Sequence, residues 1–576
     1  MLDVVGLTVD DDLLAGWRAR AGLARVRLGW TAPALVARAH AHGTSLALQA
    51  PCDQLFLATE INEWALCATL LARDPGRWAH LEAGLQAAAV ENAAPGQELI
   101  PPVIDEAAAL GRFERLAARE GSPRLRELLA VAEAHALPVV LDDETLTLGA
   151  GRHGRDYALA ALPAVGEVPW DTLGDVPTAL VTGSNGKTTT VRLLVACLEA
   201  AGRIAGYNCT DGVFVAGDAL DRGDYSGPAG ARLVLRDRRV ESAVLETARG
   251  GILRRGLAVS QARVAVVTNV SSDHFGEYGV DDLGGLADAK LTVASVLLPD
   301  GLLVLNADDA QLRGRADGLA RRLGHSPALG WFAADDEAPL LVTHRAGGGA
   351  TCGVRAGRLV LTVAGQAADL GAIATMPLTI EGSAAYNVAN LAGAALAVAH
   401  LGVAPATIAD VYARFGRLPD DNPGRLMRYR IGDVDVLVDY AHNPEGLSGL
   451  LAVARHLRRE GGRLGLLLGH AGNRQDADLE ALAAVAAEAR PDLVVVKENE
   501  AHLRGRAPGE IPRILCAALE RGGLKPSALR VRMSEVEAAR EALDWARPGD
   551  LLVLPLHAAA ARAAVLAMLG PDRPDG

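Results

Sequence analysis

The chain has 576 residues, half of them hydrophobic and 22% charged, and a formal net charge of −13. That length exceeds one hydrophobic core and implies about two to four domains. The composition excludes a disordered chain, and the acidic balance without any basic block argues against a nucleic-acid partner. Aromatic residues make up only 4%, so Ala and Leu carry the core volume, which favours helices packed on sheets.

The N-terminus "MLDVVGLTVDDDLLAGW" is acidic and lacks the charge pattern of a signal peptide. No apolar run reaches the roughly 18 residues of a membrane span, so a cytoplasmic protein without a membrane partner is expected. Cys52, Cys67, Cys197, Cys209, Cys352 and Cys516 form no C-x-x-C pair and read as free thiols. Residues 1–170 are rich in Ala and Leu. Helical periodicity is clear over 123–135, and "LPVVLDDETLTLG" reads as strand, turn, strand. Nothing in this region forms a catalytic constellation. "PAVGEVPWDTLGDVP" is a linker-like stretch.

From residue 177 short β-rich runs alternate with helical ones: "TALVTG", "SAVLET", "RVAVVTNV" and "LLVLNADD". Continuous apolar strands bounded by turns are what a buried parallel sheet requires. Residues 419–424, "PDDNPG", break the pattern, which resumes with "VDVLVDYAHNP", "RLGLLLGHAG", "LVVVKENE", "LRVRM" and "DLLVLPL". The expectation is an α/β protein of three domains: an N-terminal domain over 1–170, a central nucleotide-binding domain over 171–418 and a Rossmann-like C-terminal domain over 419–576.

"ALVTGSNGKTTTVRLL" carries the chemistry. A strand runs into a Gly-rich turn and then a helix starting at Lys187. Gly183, Ser184, Asn185 and Gly186 are small enough for backbone N–H groups to converge on phosphate oxygens. Lys187 supplies a mobile cation, Thr188 a hydroxyl for Mg²⁺, and Thr189 extends the cradle. The broader G-x-x-x-x-G-K-[ST] pattern asks for Gly at 181, where this chain has Val181. Glu246 ends the strand "SAVLE", where its carboxylate can face the loop and hold Mg²⁺ with Thr188.

The shortened loop resembles that of the Mur ligases, ATP-dependent amide-forming enzymes. "TNVSSDHFGEYG", "LADAKLTVASVL", "YNVANLAGAAL", "GRLMRY" and "DYAHNPEGL" resemble further motifs of that family. "TDGVFVAGD", "GDYSGP", "LETARGGILRRGL" and "KENEAHLRGRAPGE" are similar to the ligase half of cyanophycin synthetases. Those enzymes also carry an ATP-grasp domain. Here "LGAGRHGRDYAL" resembles only a fragment near its start, and the phosphate loop follows by residue 183.

The resemblance implies ATP and Mg²⁺ as cofactors. It implies His274 as a second metal ligand and Lys290 as a lysine that carbamylation would turn into an anion. A free ammonium there would repel Mg²⁺ and Lys187. Asn387 and Asn390, spaced i, i+3, share one helix face and suit an adenine edge, with helix capping as the alternative. Arg425 and Asp439 resemble residues that hold ribose and phosphates, with His442 beside them. Arg249, Arg254 and Arg255 are candidates to clamp a substrate carboxylate. Asp211 and Glu498 or Glu500 are candidates to select a cationic group, and Arg504 and Arg506 to hold an amino-acid carboxylate. The implied reaction joins a small-molecule or peptide carboxylate to an amino acid, with arginine or lysine onto an aspartyl acceptor favoured. The alternatives are a folylpolyglutamate- or cell-wall-type ligase, and a non-catalytic nucleotide-binding partner of a separate ATP-grasp protein. Homo-oligomerisation is left open.

Overall fold

The computed structural model describes residues 1–570 except 32–33, 41–42, 92–102, 273–274, 276–277, 473 and 499–502. Its centre is an eleven-stranded sheet. Seven neighbouring strands are parallel: Ala205–Cys209, Ser242–Glu246, Thr178–Thr182, Ala262–Val267, Leu297–Asn306, Ala328–Phe332 and Ala350–Arg355. Antiparallel strands close both edges. The strands bury both faces, which explains their unbroken Val, Leu and Ala runs. One face packs on helices Lys187–Ala200, Ala385–His400 and Pro405–Tyr412. The other packs on Pro228–Arg236 and Leu283–Lys290.

The topology sets the site. Thr178–Thr182 lies between Ser242–Glu246 and Ala262–Val267. Three neighbouring parallel strands therefore deliver the phosphate loop, Glu246 and Thr268 to one sheet edge, where ligands of such sheets bind.

After residues 416–424 the chain forms a six-stranded sheet in the order Met427–Ile431, Val434–Asp439, Leu551–Pro555, Leu464–Leu468, Leu493–Lys497, Leu529–Arg532. All but the first pairing are parallel. The expectation of α/β architecture with parallel sheets matches these two sheets.

Residues 1–170 hold two cores rather than one. In the first, helices Asp11–Arg27 and Leu55–Arg73 pack with strands Leu2–Val5, Leu35–His40 and Gly43–Leu48 around Trp17, Leu46, Ile61, Trp64 and Phe113. Trp17 Nε1 donates to Asn62 Oδ1 at 2.8 Å, and Asn62 Nδ2 donates to the Leu46 carbonyl at 3.1 Å. The second core gathers Leu125, Leu128, Leu146, Leu148 and Val168. It docks on the central domain through Arg236, which bonds the Asp142 carboxylate, Thr147 Oγ1 at 3.0 Å and the Thr145 carbonyl at 3.1 Å. One helix of the first core bears on the expectation that no apolar run spans a membrane. Leu55–Arg73 is long and apolar enough, by length and composition, to cross a membrane, yet 61% of its most apolar window is buried inside the protein. Its apolar face is the wall of the first core.

Candidate active site

The phosphate loop is held by the end of the neighbouring strand. Ser184 N donates to the Asn269 carbonyl at 2.9 Å, Asn185 N to Asn269 Oδ1 at 2.8 Å, and Thr268 Oγ1 to the Asn185 carbonyl at 2.6 Å. Two glycines leave no room for a side chain. Gly183 has φ +151°, and a Cβ there would lie 1.8 Å from Thr268 Oγ1. Gly186, φ +81°, would bring one to 2.2 Å from Asn390 Oδ1. Gly186 caps the helix that starts at Lys187, so free backbone N–H groups and the helix dipole converge on the loop. Lys187 Nζ donates to the Gly183 and Ser184 carbonyls, both at 3.1 Å.

Glu246 is 1% exposed. Its carboxylate accepts from Thr188 Oγ1 at 2.8 Å and Thr210 Oγ1 at 3.0 Å. Burial raises its pKa, against the opposing pull of the Lys187 charge and the Thr188 hydrogen bond. Thr210 opens the motif "TDGVFVAGD", but its contact with Glu246 depends on a neighbouring strand and is not legible there.

Two cavities open here. The first, about 180 Å³, is lined by the phosphate loop from Ser184 to Thr189, by Asn387 and Asn390, and by Arg425 and Asp439 of the C-terminal domain. Asn387 Nδ2 donates to the Leu378 carbonyl at 2.9 Å, and Asn390 Nδ2 to Asn387 Oδ1 at 3.1 Å. The Arg425 guanidinium lies 4.2 Å from the Tyr440 ring centre. Asp439 accepts the Leu426 and Ala441 N–H groups, both at 2.7 Å, and burial raises its pKa against the Arg425 charge.

The second cavity, about 450 Å³, is lined by Arg249, Arg254, Arg255, Arg504 and Lys290, with the N-terminus of helix Pro228–Arg236 in its wall. Arg249 and Lys290 are buried. Lys187, Thr210, Glu246, Tyr440 and His442 line both cavities, so one wall joins a phosphate-loop chamber to an arginine-rich one. His442 Nδ1 lies 3.2 Å from the Tyr440 carbonyl.

Three expected substrate residues stand elsewhere. Asp211 lines neither cavity; its carboxylate accepts from Arg192 at 3.0 Å and from Arg562 at 2.7 Å. Glu498 is buried and accepts the Gly509 N–H at 2.9 and 3.1 Å, at the cap of helix Glu510–Arg521. Arg506 is spent on the Gly472 and Arg474 carbonyls, Glu510 and Asp476. These three charges are paired within the protein, and neither Asp211 nor Glu498 lines either cavity. His274 and Glu500 lie outside the described residues.

The loop also touches the C-terminal domain. Asn443 Nδ2 donates to Asn185 Oδ1 at 2.9 Å, and Asn185 Nδ2 to Glu445 Oε2 at 3.0 Å. Asn422 Nδ2 donates to Thr189 Oγ1 at 3.2 Å. Asn443 and Glu445 stand in "DYAHNPEGL", whose resemblance flagged the segment without showing these contacts.

Comparison with known proteins agrees with the resemblance. The Mur ligase middle domain family matches residues 181–328, and the Mur ligase glutamate ligase domain family matches residues 424–555. A cyanophycin synthetase of Nostoc sp. is 35% identical over 387 residues, 67% of this chain and 42% of that protein. The chain thus spans less than half the length of that relative. The UDP-N-acetylmuramoyl-L-alanyl-D-glutamate--2,6-diaminopimelate ligase of Xanthomonas campestris is 32% identical over 384 residues, 65% of this chain and 70% of that protein. Among solved structures, E. coli FolC in complex with DHPP and ADP covers 68% of this chain and 88% of that chain, at 20% identity and a TM-score of 0.49. Both domain families in order, and a ligase relative matched over 70% of its own length, show that the chain belongs to the Mur ligase family.

Proposed function

We propose that the chain is an ATP-dependent amide ligase that converts a carboxylate into an acyl phosphate and joins it to an amino-acid amine, releasing ADP and phosphate. One observation carries this reading: the phosphate-loop cavity and the arginine-rich cavity share the wall of Lys187, Thr210, Glu246, Tyr440 and His442. ATP bound in the first presents its terminal phosphate at that wall, and a carboxylate held in the second meets it there.

A carboxylate is a poor electrophile, and phosphorylation gives it a leaving group. Its oxygen attacks the terminal phosphorus, the bond to ADP breaks, and an amine then displaces phosphate from the carbonyl carbon. Positioning and charge neutralisation do most of the work. The loop N–H groups hold the phosphates, and Lys187 moves from its two carbonyl partners onto the phosphate oxygens. Asn387 and Asn390 face the base, while Asp439 and Arg425 hold the ribose and phosphates. Arg249, Arg254 and Arg504 orient the carboxylate substrate, and His442 borders the reacting centre from the C-terminal domain.

The donors beside the loop fit Mg²⁺. The Glu246 carboxylate and the Thr188 hydroxyl are hard oxygen ligands, and a buried carboxylate whose hydrogen bonds among the described residues come from two hydroxyls suits a cation. When bound, the metal would neutralise phosphate charge. Lys290, buried in the second cavity's wall, is in this reading the carbamylated lysine, an anion formed from its amine and CO₂ with loss of a proton.

An aspartyl-containing acceptor and arginine or lysine remain the first pairing to test, on the likeness to cyanophycin synthetases. The test is a screen of amino acids against β-aspartyl and other carboxylate acceptors, read by phosphate release and product mass. Product from one pairing that needs ATP supports the reading. ATP binding with no product from any pairing would favour a non-catalytic partner.

A further inference from the structure

Tyr386 is the second residue of helix Ala385–His400 and stands next to Asn387. Its ring, from the central domain, rests on the C-terminal domain. A Cβ on Gly449 of helix Pro444–Leu457 would come within 2.9 Å of Tyr386 Cδ1. The ring therefore spans the seam between the two domains, and Tyr386 lines the first cavity.

Among the described residues lining this cavity, Tyr386 alone has a buried side-chain polar atom without a hydrogen-bond partner. Tyr386 Oη is buried and has no hydrogen-bond partner among the described residues. The hydroxyls of Tyr157, Thr182, Thr190, Ser242 and Thr362 are also buried without a partner, but none of these residues lines this cavity. Tyr412 Oη, deeper in the same domain, donates to the Leu391 carbonyl at 2.8 Å. An orphaned polar atom in a cavity wall marks a place where a ligand completes the hydrogen bonding. Burial and the nearby Asp439 charge hold the phenol well above 10, so it is a neutral O–H able to donate and accept. Asp439 shares this cavity and spends one lone pair of each carboxylate oxygen on a backbone N–H, leaving further acceptor capacity on both.

We infer that the Tyr386 hydroxyl, together with Asp439, reads the sugar of the nucleotide by hydrogen bonding a ribose hydroxyl, and so sets a preference for ribonucleotides. This rests on the reading of the first cavity as the nucleotide site. A site built to bond a hydroxyl discriminates against the analogue that lacks it, because its buried polar groups are then left unpaired.

The test is a cycle of two proteins and three nucleotides. Wild type and Tyr386→Phe are titrated calorimetrically with ATP, 2′-deoxyATP and 3′-deoxyATP in the presence of Mg²⁺. The expected result is that wild type binds one deoxy analogue roughly three- to tenfold more weakly than ATP, the scale of one hydrogen bond. Tyr386→Phe should lose a similar factor for ATP and almost none for that analogue. Unfolding without nucleotide gives a second readout. Removing an unpartnered buried hydroxyl should leave the midpoint unchanged or raised. Equal losses for all three nucleotides, no loss for ATP, or a lowered midpoint would each overturn the inference. Failure of wild type to bind ATP at all would instead sink the nucleotide reading itself.

Discussion

Asp211 of the central domain and Arg562 of the C-terminal domain meet at 2.7 Å across 351 residues of chain. Arg192 holds the other carboxylate oxygen at 3.0 Å. Burial raises the Asp211 pKa, and the charges of Arg425, Arg562 and Arg192 outweigh it, so the group stays ionised with a lowered pKa. With the Asn185–Asn443 and Asn185–Glu445 bonds, this pair fastens the two domains around the nucleotide cavity. Arg562→Ala should weaken ATP binding about tenfold, a typical coupling between closure and ligation. X-ray scattering should show a larger radius of gyration without nucleotide. Unchanged affinity and radius together would mean that closure does not depend on the pair.

Lys187→Ala and Glu246→Ala should each reduce amide formation by at least about 10²–10³-fold, the scale for removing one preorganised charge from a reacting centre. Phosphate release with the productive acceptor is the measurement, and circular dichroism should show the fold retained. Normal turnover by either variant would remove these residues from the proposed machinery.

The arginines separate by location. Arg254 and Arg504 line the second cavity, so Arg254→Ala and Arg504→Ala should raise the KM for the carboxylate acceptor several-fold and leave that for ATP alone. Glu498 instead caps a helix from within the C-terminal domain. Glu498→Ala should lower thermal stability by about 0.5–2 kcal/mol with the acceptor KM unmoved. An acceptor effect from Glu498→Ala would restore it to the substrate group.

His557 predicts a pH dependence of stability. Its Nε2 donates to the Ala441 carbonyl at 3.1 Å, and burial, then the Lys497 charge, hold its pKa well below 6.5. The unfolded imidazole takes up a proton near 6.5 while the folded one does not. Unfolding therefore binds a proton below that pH, and stability falls as pH drops through 6.5. Urea midpoints between pH 7.5 and pH 5.5, set roughly to bracket that value, should fall more steeply for wild type than for His557→Gln. Parallel slopes would show that His557 protonates freely in the folded state.

Much of this arrangement is legible in the chain because strand ends are legible. The runs before Gly183, at Glu246 and before Thr268 mark three strands, and parallel packing brings their ends to one edge. The limits lie where a side chain's partner belongs to another element. Asp211, Glu498 and Arg506 carry the right charges in suggestive motifs, but a charge in a motif looks the same whether it awaits a substrate or is paired with Arg562, a helix cap or a carbonyl. Thr210 and Tyr386 were passed over for the converse reason. Each opens a motif that carries the resemblance, but their hydroxyls matter through where a neighbouring strand and the domain seam put them, which the motif does not state.

The hairpin Leu35–His40/Gly43–Leu48 lies outside the stretch that the ligase families match and packs behind the second cavity's wall. Arg38 Nη2 donates to the Gly279 carbonyl at 2.7 Å, and a Cβ on Gly279 would stand 2.8 Å from His40 Cβ. The preceding residue, Tyr278, lines the cavity with φ +55°, a conformation that a bulky residue keeps only when its surroundings enforce it. The N-terminal module thus acts as a buttress. A protein trimmed to its ligase domains would keep every residue of the proposed chemistry and lose the strut behind one wall of the arginine-rich cavity.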